Sequence, residues 1–173
     1  MLPVDLLSRV YSLDSELPGL SPVEYHLSSG DRLIDAIARS WSSLRARWDV
    51  FEADRRKFGA DDRGTSGTRD RWLLPLFSEL GYGRLLVNKA EEIEGRVYPI
   101  SHAWHRSPIH LVSATVSLDE KCAGVAGASR SSPHSLVQEY LNRNPDKLWG
   151  FVSNGLVLRV LRDNISLTRQ SYV

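Results

Sequence analysis

The chain has 173 residues, of which 42% are hydrophobic, 25% charged and 9% aromatic, with a formal charge of +1; this composition fits one globular domain and excludes disordered and collagen-like chains. No run approaches the roughly 18 apolar residues that cross a bilayer, and Asp5, Arg9, Asp14 and Glu16 interrupt the start, so neither a membrane span nor a secretory signal is expected and the protein is read as cytoplasmic. The one cysteine, Cys122, excludes an internal disulfide and every zinc site that needs paired thiolates.

Residues 1–30 carry Pro3, Pro18, Gly19, Pro22 and Gly30, so any helix there, such as Val4 to Tyr11, is short. This segment reads as an arm. Over 31–58 the positions Ile34, Ile37, Trp41, Leu44, Trp48 and Phe51 recur at alternating spacings of three and four, which predicts one long amphipathic helix. Ser29 or Asp31 can cap it, Gly59 can end it, and Arg39, Arg47 and Asp54 fall on its polar face. Gly59 to Gly67 is a polar connection that should be mobile. A second helix is expected from Thr68 to Leu80 through Trp72, Leu73, Leu76 and Phe77, with a kink at Pro75 or a start nearer Trp72, and a stop at Gly81 and Gly83.

Three β-prone runs follow, Leu85 to Val87, Val97 to His102 and Ile109 to Ser113, the last able to extend to Leu118; they read as a meander divided by Gly95 and by Arg106-Ser107-Pro108. Ser132-Pro133 opens a third helix that runs to about Asn142, with Leu136, Val137, Tyr140 and Leu141 facing the core. Leu148 to Ser153 and Leu156 to Arg162 then flank Asn154-Gly155, the dipeptide of a two-residue hairpin turn. Helices, strands, helix and strands in that order predict an α+β, or mixed α/β, layer fold.

Over 96–173 there are nine Lys and Arg against five Asp and Glu, and four of the five histidines. A basic half of this kind suits a phosphate backbone when its charges share a face. Arg130, Arg143, Lys147, Arg159 and Arg162 are the candidate nucleic-acid contacts. The glycine-containing stretch Gly124 to Ser132 lacks the lysine of a nucleotide-binding P-loop. Asn144-Pro145-Asp146 lacks the second proline and the aromatic residue of an adenine-methylase tetrad. His102, His105 and His110 have no carboxylate among them, and alternation along a strand separates neighbours, so no metal site is assigned. A metal-dependent nuclease needs acids around a cation and a lysine beside them. The one qualifying triplet is Asp119-Glu120-Lys121, with Glu92 or Glu94 as a possible upstream acid.

Trp72-Leu73-Leu74-Pro75-Leu76, Leu80-Gly81-Tyr82-Gly83, Tyr98-Pro99-Ile100-Ser101-His102, Gln138-Glu139-Tyr140-Leu141-Asn142, Leu148-Trp149-Gly150, Ser153-Asn154-Gly155 and Leu158 to Asp163 together resemble one family: the N-terminal region of large bacterial type IIG-like restriction-modification adenine methylases. The resemblance spans 68–173 and implies a restriction-endonuclease-like sheet flanked by helices, here preceded by a long N-terminal helix, with 1–30 as an arm. It implies that the chain is a fragment of a larger protein. The methyltransferase domain of the same parent chain and DNA would be its partners, S-adenosylmethionine would serve that methylase, and the setting would be phage defence. At the implied metal site the match fails, because Ser113-Ala114-Thr115 stands where Glu-x-Lys is expected and Ser101-His102 where the first aspartate would be; Gln138 alone is similar to the family's glutamine. The implied function is a noncatalytic nuclease-like domain that engages DNA or braces neighbouring domains. The alternatives are an active Mg²⁺-dependent endonuclease using Glu94, Asp119, Lys121 and Gln138, and a structural module that docks through the helix of 31–58.

Overall fold

A computed structural model describes residues 3–12, 14, 16–28, 30–58 and 64–163. It divides into two units, Met1–Ala46 and Arg47–Val173, and the boundary falls inside the second helix.

In the first unit, α1 (Val4–Tyr11) opens after Pro3 and buries none of its side chains. A 3-10 turn, Pro22–Tyr25, is fixed by a capping box at Ser21. The Glu24 carboxylate accepts the Ser21 and Gly19 amides, and the Tyr25 hydroxyl donates to the Gly19 carbonyl at 2.7 Å. The 3.5-residue stripe is then helical over α2 (Leu33–Arg55), 23 residues. This long helix is internal to the chain, since α1 and the 3-10 turn precede it. The carboxylate of Asp31, the expected cap, accepts the Ser28 amide at 3.0 Å, upstream of the first helical residue Leu33. Ser29 and Gly59 to Arg63, the other cap, the stop and most of the expected polar connection, lie outside the described residues.

The second unit begins with the end of α2. Phe51 is fully buried, stacks nearly parallel on Trp72 at 6.0 Å, and has Trp48 against it at 5.5 Å. Such ring pairs contribute about 1 kcal/mol beyond their burial. The next helical stretch starts earlier than the Thr68 expected, with α3 (Thr65–Thr68), a π-helical turn Arg69–Leu73, α4 (Leu74–Phe77) and a second π turn Ser78–Tyr82. Leu73, Leu74, Phe77 and Ser78 all keep right-handed helical dihedrals around Pro75. The chain therefore absorbs the proline by widening the turns on either side of it instead of breaking. Gly81 at φ 88° and Gly83 at φ 63° end the stretch, as only glycine does without strain.

The strands depart from the expected meander. Val97 to His102 is two strands in two sheets: β2 (Glu91–Ile93) pairs with β3 (Arg96–Tyr98) as a separate hairpin, while β1 (Leu86–Val87) pairs with β4 (His102–Trp104) in the main sheet. Pro99 lacks an amide hydrogen and lies at the break between them. β5 (Ser107–Leu111) includes the Ser107-Pro108 expected as a divider and stops at Leu111. The run to Leu118 is loop; its apolar alternation arises because Val112, Val116 and Leu118 are buried in the core.

After α5 (Pro133–Asn142), β6 (Trp149–Ser153) and β7 (Leu158–Arg162) complete a five-stranded sheet of order β1-β4-β5-β6-β7. β5 and β6 are parallel and every other neighbouring pair is antiparallel, so the sheet is mixed and the fold α+β. The Asn154-Gly155 turn is longer than the two residues expected, with Ser153 facing Leu158 across four loop residues. Asn154 is buried and its carboxamide oxygen accepts the Leu156 and Val157 amides, which holds the wider loop.

Alternation on β6 assigns the two faces. Gly150 lies under Val137 and Leu141 of α5, where a Cβ would meet them at 3.1 and 3.3 Å. Phe151 points the other way, onto Phe77 at 6.0 Å and Tyr82 at 5.5 Å. The main core lies between α5 and the sheet and contains Tyr98, Ile100, Val112, Leu136, Val137, Tyr140, Leu141, Val152 and Leu161.

One buried polar side chain pins that core. His110 on β5 is 1% exposed; its Nε2–H donates to the Gly127 carbonyl at 3.2 Å, and Nδ1 accepts the Ser101 amide at 3.4 Å. Both ring nitrogens are thus matched to the neutral imidazole, and burial pushes its pKa down from 6.5 to about 4. Between those values the unfolded chain binds the proton and the folded one does not, so stability falls as pH drops from 6.5 to about 4, by about 3 kcal/mol from this group. His102 and His134, also depressed chiefly by burial, act with the same sign. Urea midpoints measured from pH 7 to pH 4 should fall steadily, and the His110→Gln variant should be less stable at pH 7 but show a shallower slope; parallel slopes would contradict the assignment.

Candidate nucleic-acid interface

The residues singled out by charge reach different parts of the second unit. Arg159 pairs across the sheet with Val152 and Arg162 with Trp149, and since Val152 faces α5 and Trp149 lies on the opposite face, the two arginines leave the sheet in opposite directions. Arg159 is committed to a bidentate pair with Asp119 at 2.6 and 2.7 Å. Its guanidinium holds the Asp119 carboxyl below the usual carboxylate range. Arg143, just past α5, meets Glu94 at 2.8 Å and Glu139 at 3.3 Å. Arg162 lies over the Trp149 ring at 5.5 Å and forms no ion pair among the described residues.

Lys147 and Arg130 form no ion pair among the described residues. Lys147 comes near Arg162, because the Leu148 carbonyl accepts the Asp163 amide at 2.9 Å. Arg130 precedes the start of α5, at the opposite end of ten helical residues, which extend roughly 15 Å. Of the five, then, Lys147 and Arg162 lie near one another along the backbone, Arg130 stands at the other end of α5, and Arg143 and Arg159 serve internal pairs.

The acids of the nuclease alternative are dispersed. Glu94 sits with positive φ in the β2–β3 turn and is held by Arg143. Asp119 is held by Arg159. Gln138 donates to Asn142 at 3.0 Å and to the Arg162 carbonyl at 2.9 Å, fastening α5 to β7. Among the described residues no group of three or more His, Cys, Asp and Glu is placed to hold a metal ion together. The histidines are engaged elsewhere too: His102 Nδ1 meets the Ser101 hydroxyl at 2.9 Å, His110 is locked as above, and His105 turns its ring edge to Trp104.

A polar network that charge counting missed explains where several acids went. Glu139 on α5 accepts from Arg96 at 2.5 Å and from the Tyr98 hydroxyl at 2.9 Å, and Tyr140 donates to Glu91 at 2.6 Å. Burial and the Glu139 charge push the Tyr98 hydroxyl up to about 12, and burial with Glu91 raises Tyr140. Together with Arg143 and Glu94, these contacts bolt the β2–β3 hairpin onto α5. Only the run of acids Glu91, Glu92 and Glu94 hints at it in sequence.

The carboxyl ends of the parallel pair, where open α/β sheets carry their sites, are closed by uncharged groups. The Val112 amide donates to Ser153 at 2.9 Å, the Ala114 amide to the Thr68 hydroxyl at 3.1 Å, and the Asn154 carboxamide to the Val116 carbonyl at 2.9 Å. Ser113 shares a hydrogen bond with Thr115 at 3.1 Å, and Trp72 Nε1 donates to the Gly155 carbonyl at 2.9 Å. Comparison of the chain with protein-family models, curated proteins and solved structures gives no match.

Proposed function

We propose that the chain is a noncatalytic, restriction-endonuclease-like domain of a bacterial restriction-modification methylase, and that it engages DNA through the charges its own carboxylates leave uncompensated. The observation that carries this reading is the uncharged closure at the ends of β5 and β6. Thr68, Ser113, Thr115 and Asn154 bond to one another or to backbone in the place that the resemblance gives to an acid-lined metal site. The helix-flanked mixed sheet supports it at the level of architecture. The methylase, with its S-adenosylmethionine, belongs to the parent chain in this reading, because Asn144-Pro145-Asp146 serves here as the turn after α5.

Duplex contact falls to Lys147 and Arg162 at one end of α5 and to Arg130 at the other. Arg143 and Arg159 already face the carboxylates of Glu94, Glu139 and Asp119, whose negative charge offsets theirs toward a phosphate. Three phosphates neutralised predict that log K falls against log salt with a slope of about −3, and five predict about −4.5. Fluorescence anisotropy of a labelled duplex titrated at several salt concentrations should give the shallower value. The double variant Lys147→Gln/Arg162→Gln should bring the slope near −1; a salt-independent affinity would remove the DNA reading.

The helix-mediated alternative draws on one observation. Ile34, Ile37 and Trp41 continue the stripe of Trp48 and Phe51, yet they are 42%, 50% and 63% exposed. If that stripe serves association, Trp41→Glu should lower the sedimentation coefficient of an associated form without altering DNA affinity; a monomer in both forms would dismiss it.

A further inference from the structure

The loop between β5 and α5 builds a hollow that neither the P-loop comparison nor the charge count identifies. It closes on itself through Cys122 N to Ala128 O at 2.8 Å, Val125 N to Cys122 O at 3.2 Å and Ala128 N to Val125 O at 3.0 Å. Gly127 has φ 77°, and a Cβ there would fall 2.2 Å from the His110 ring and 3.2 Å from the Pro99 carbonyl, so only glycine brings the loop this close to the sheet. Ala128 is fully buried. These contacts set the loop's shape before any ligand arrives.

Against the loop lies a hollow of about 260 Å³ lined by the apolar side chains of Val97, Pro99 and Leu136 and by Arg96, Arg130, Ser129 and Ser131. Arg96 is oriented by Glu139 at 2.5 Å and by the Tyr98 ring at 5.3 Å. The bond to Glu139 is made by Nη1, one nitrogen of a guanidinium that has five N–H donors. Arg130 is exposed and has no ion pair among the described residues. The cap of α5 is already satisfied, since the Ser132 hydroxyl accepts the Ser135 amide at 3.2 Å. The helix end therefore adds nothing to the case. Two planar cations and two hydroxyls lining one hollow suit the tetrahedral oxygens of phosphate, which guanidinium groups bind in bidentate fashion.

We propose that this hollow receives a phosphate group, with Arg130 and Arg96 as its anchors and the Ser129 and Ser131 hydroxyls as further donors. The proposal rests on the DNA reading for its biological source but not for its chemistry, because a terminal phosphomonoester and a backbone phosphodiester present the same oxygens. The test uses the full chain and follows amide resonances of Gly127, Ser129 and Ser131 while inorganic phosphate is added, then a short duplex with and without 5′-phosphates. Saturable shifts with phosphate that weaken about tenfold in Arg130→Gln, but not in Arg106→Gln on the β4–β5 turn, support the site. Tighter binding of the 5′-phosphorylated duplex assigns the source to a strand end, and equal binding assigns it to the backbone; either result supports the hollow. Absence of saturable shifts with phosphate and both duplexes overturns it. Phosphate shifts that Arg130→Gln leaves unchanged overturn the hollow too, while the DNA reading stands.

Discussion

The parallel pairing of β5 with β6 is the constraint from which the rest of the second unit follows. Antiparallel neighbours can be joined by a tight turn, but parallel ones need the chain to travel back along the sheet before it pairs again. Here the return is the loop after Leu111 and then α5, laid over one face. Gly150 lets α5 approach, His110 anchors the loop through Gly127, and Val112, Val116, Leu118 and Ala128 fill the space between. The opposite face is covered by Phe77 and Tyr82 packed on Phe151. Both faces of β6 are therefore occupied, and what remains for a partner are the edges, the loop and the ends of α5.

The same arrangement determines which charges are available. The β2–β3 hairpin docks on α5 through Glu91, Glu94 and Glu139, and Asp119 locks Arg159, so most of the acids that could have gathered a cation instead hold elements together. Ion pairs at the surface contribute little to stability one by one. Their more important effect here is on electrostatics, because they offset Arg143 and Arg159, whereas Lys147, Arg162 and Arg130, like Arg106 and Lys121, form no ion pair among the described residues.

Much of this was legible in the sequence, and the failures have physical causes. α1 and α5 have the bounds that Pro3, Ser132-Pro133 and the apolar spacing imply. The stripe from Ile34 to Phe51 is helical because its period is helical. The strand run at Val97 to His102 misled because residues on either side of Pro99 are equally β-prone, and only tertiary pairing assigns them to different sheets. Asn154-Gly155 misled because the dipeptide's turn preference gave way to a buried carboxamide with three partners. The candidate interface was legible only as a list of cations. Pairing across 40 to 49 residues, as between Arg159 and Asp119 or Arg143 and Glu94, leaves no local mark in the sequence.

The central claim is a scaffold that holds DNA without cutting it. The most direct measurement incubates a labelled duplex with the chain and Mg²⁺, then divides each sample between a native and a denaturing gel. The account predicts a shifted band on the first and full-length strands on the second, the same for the wild-type chain and for Asp119→Ala. Strands shortened by the wild-type chain and left whole by Asp119→Ala would contradict it, as would a duplex that never shifts.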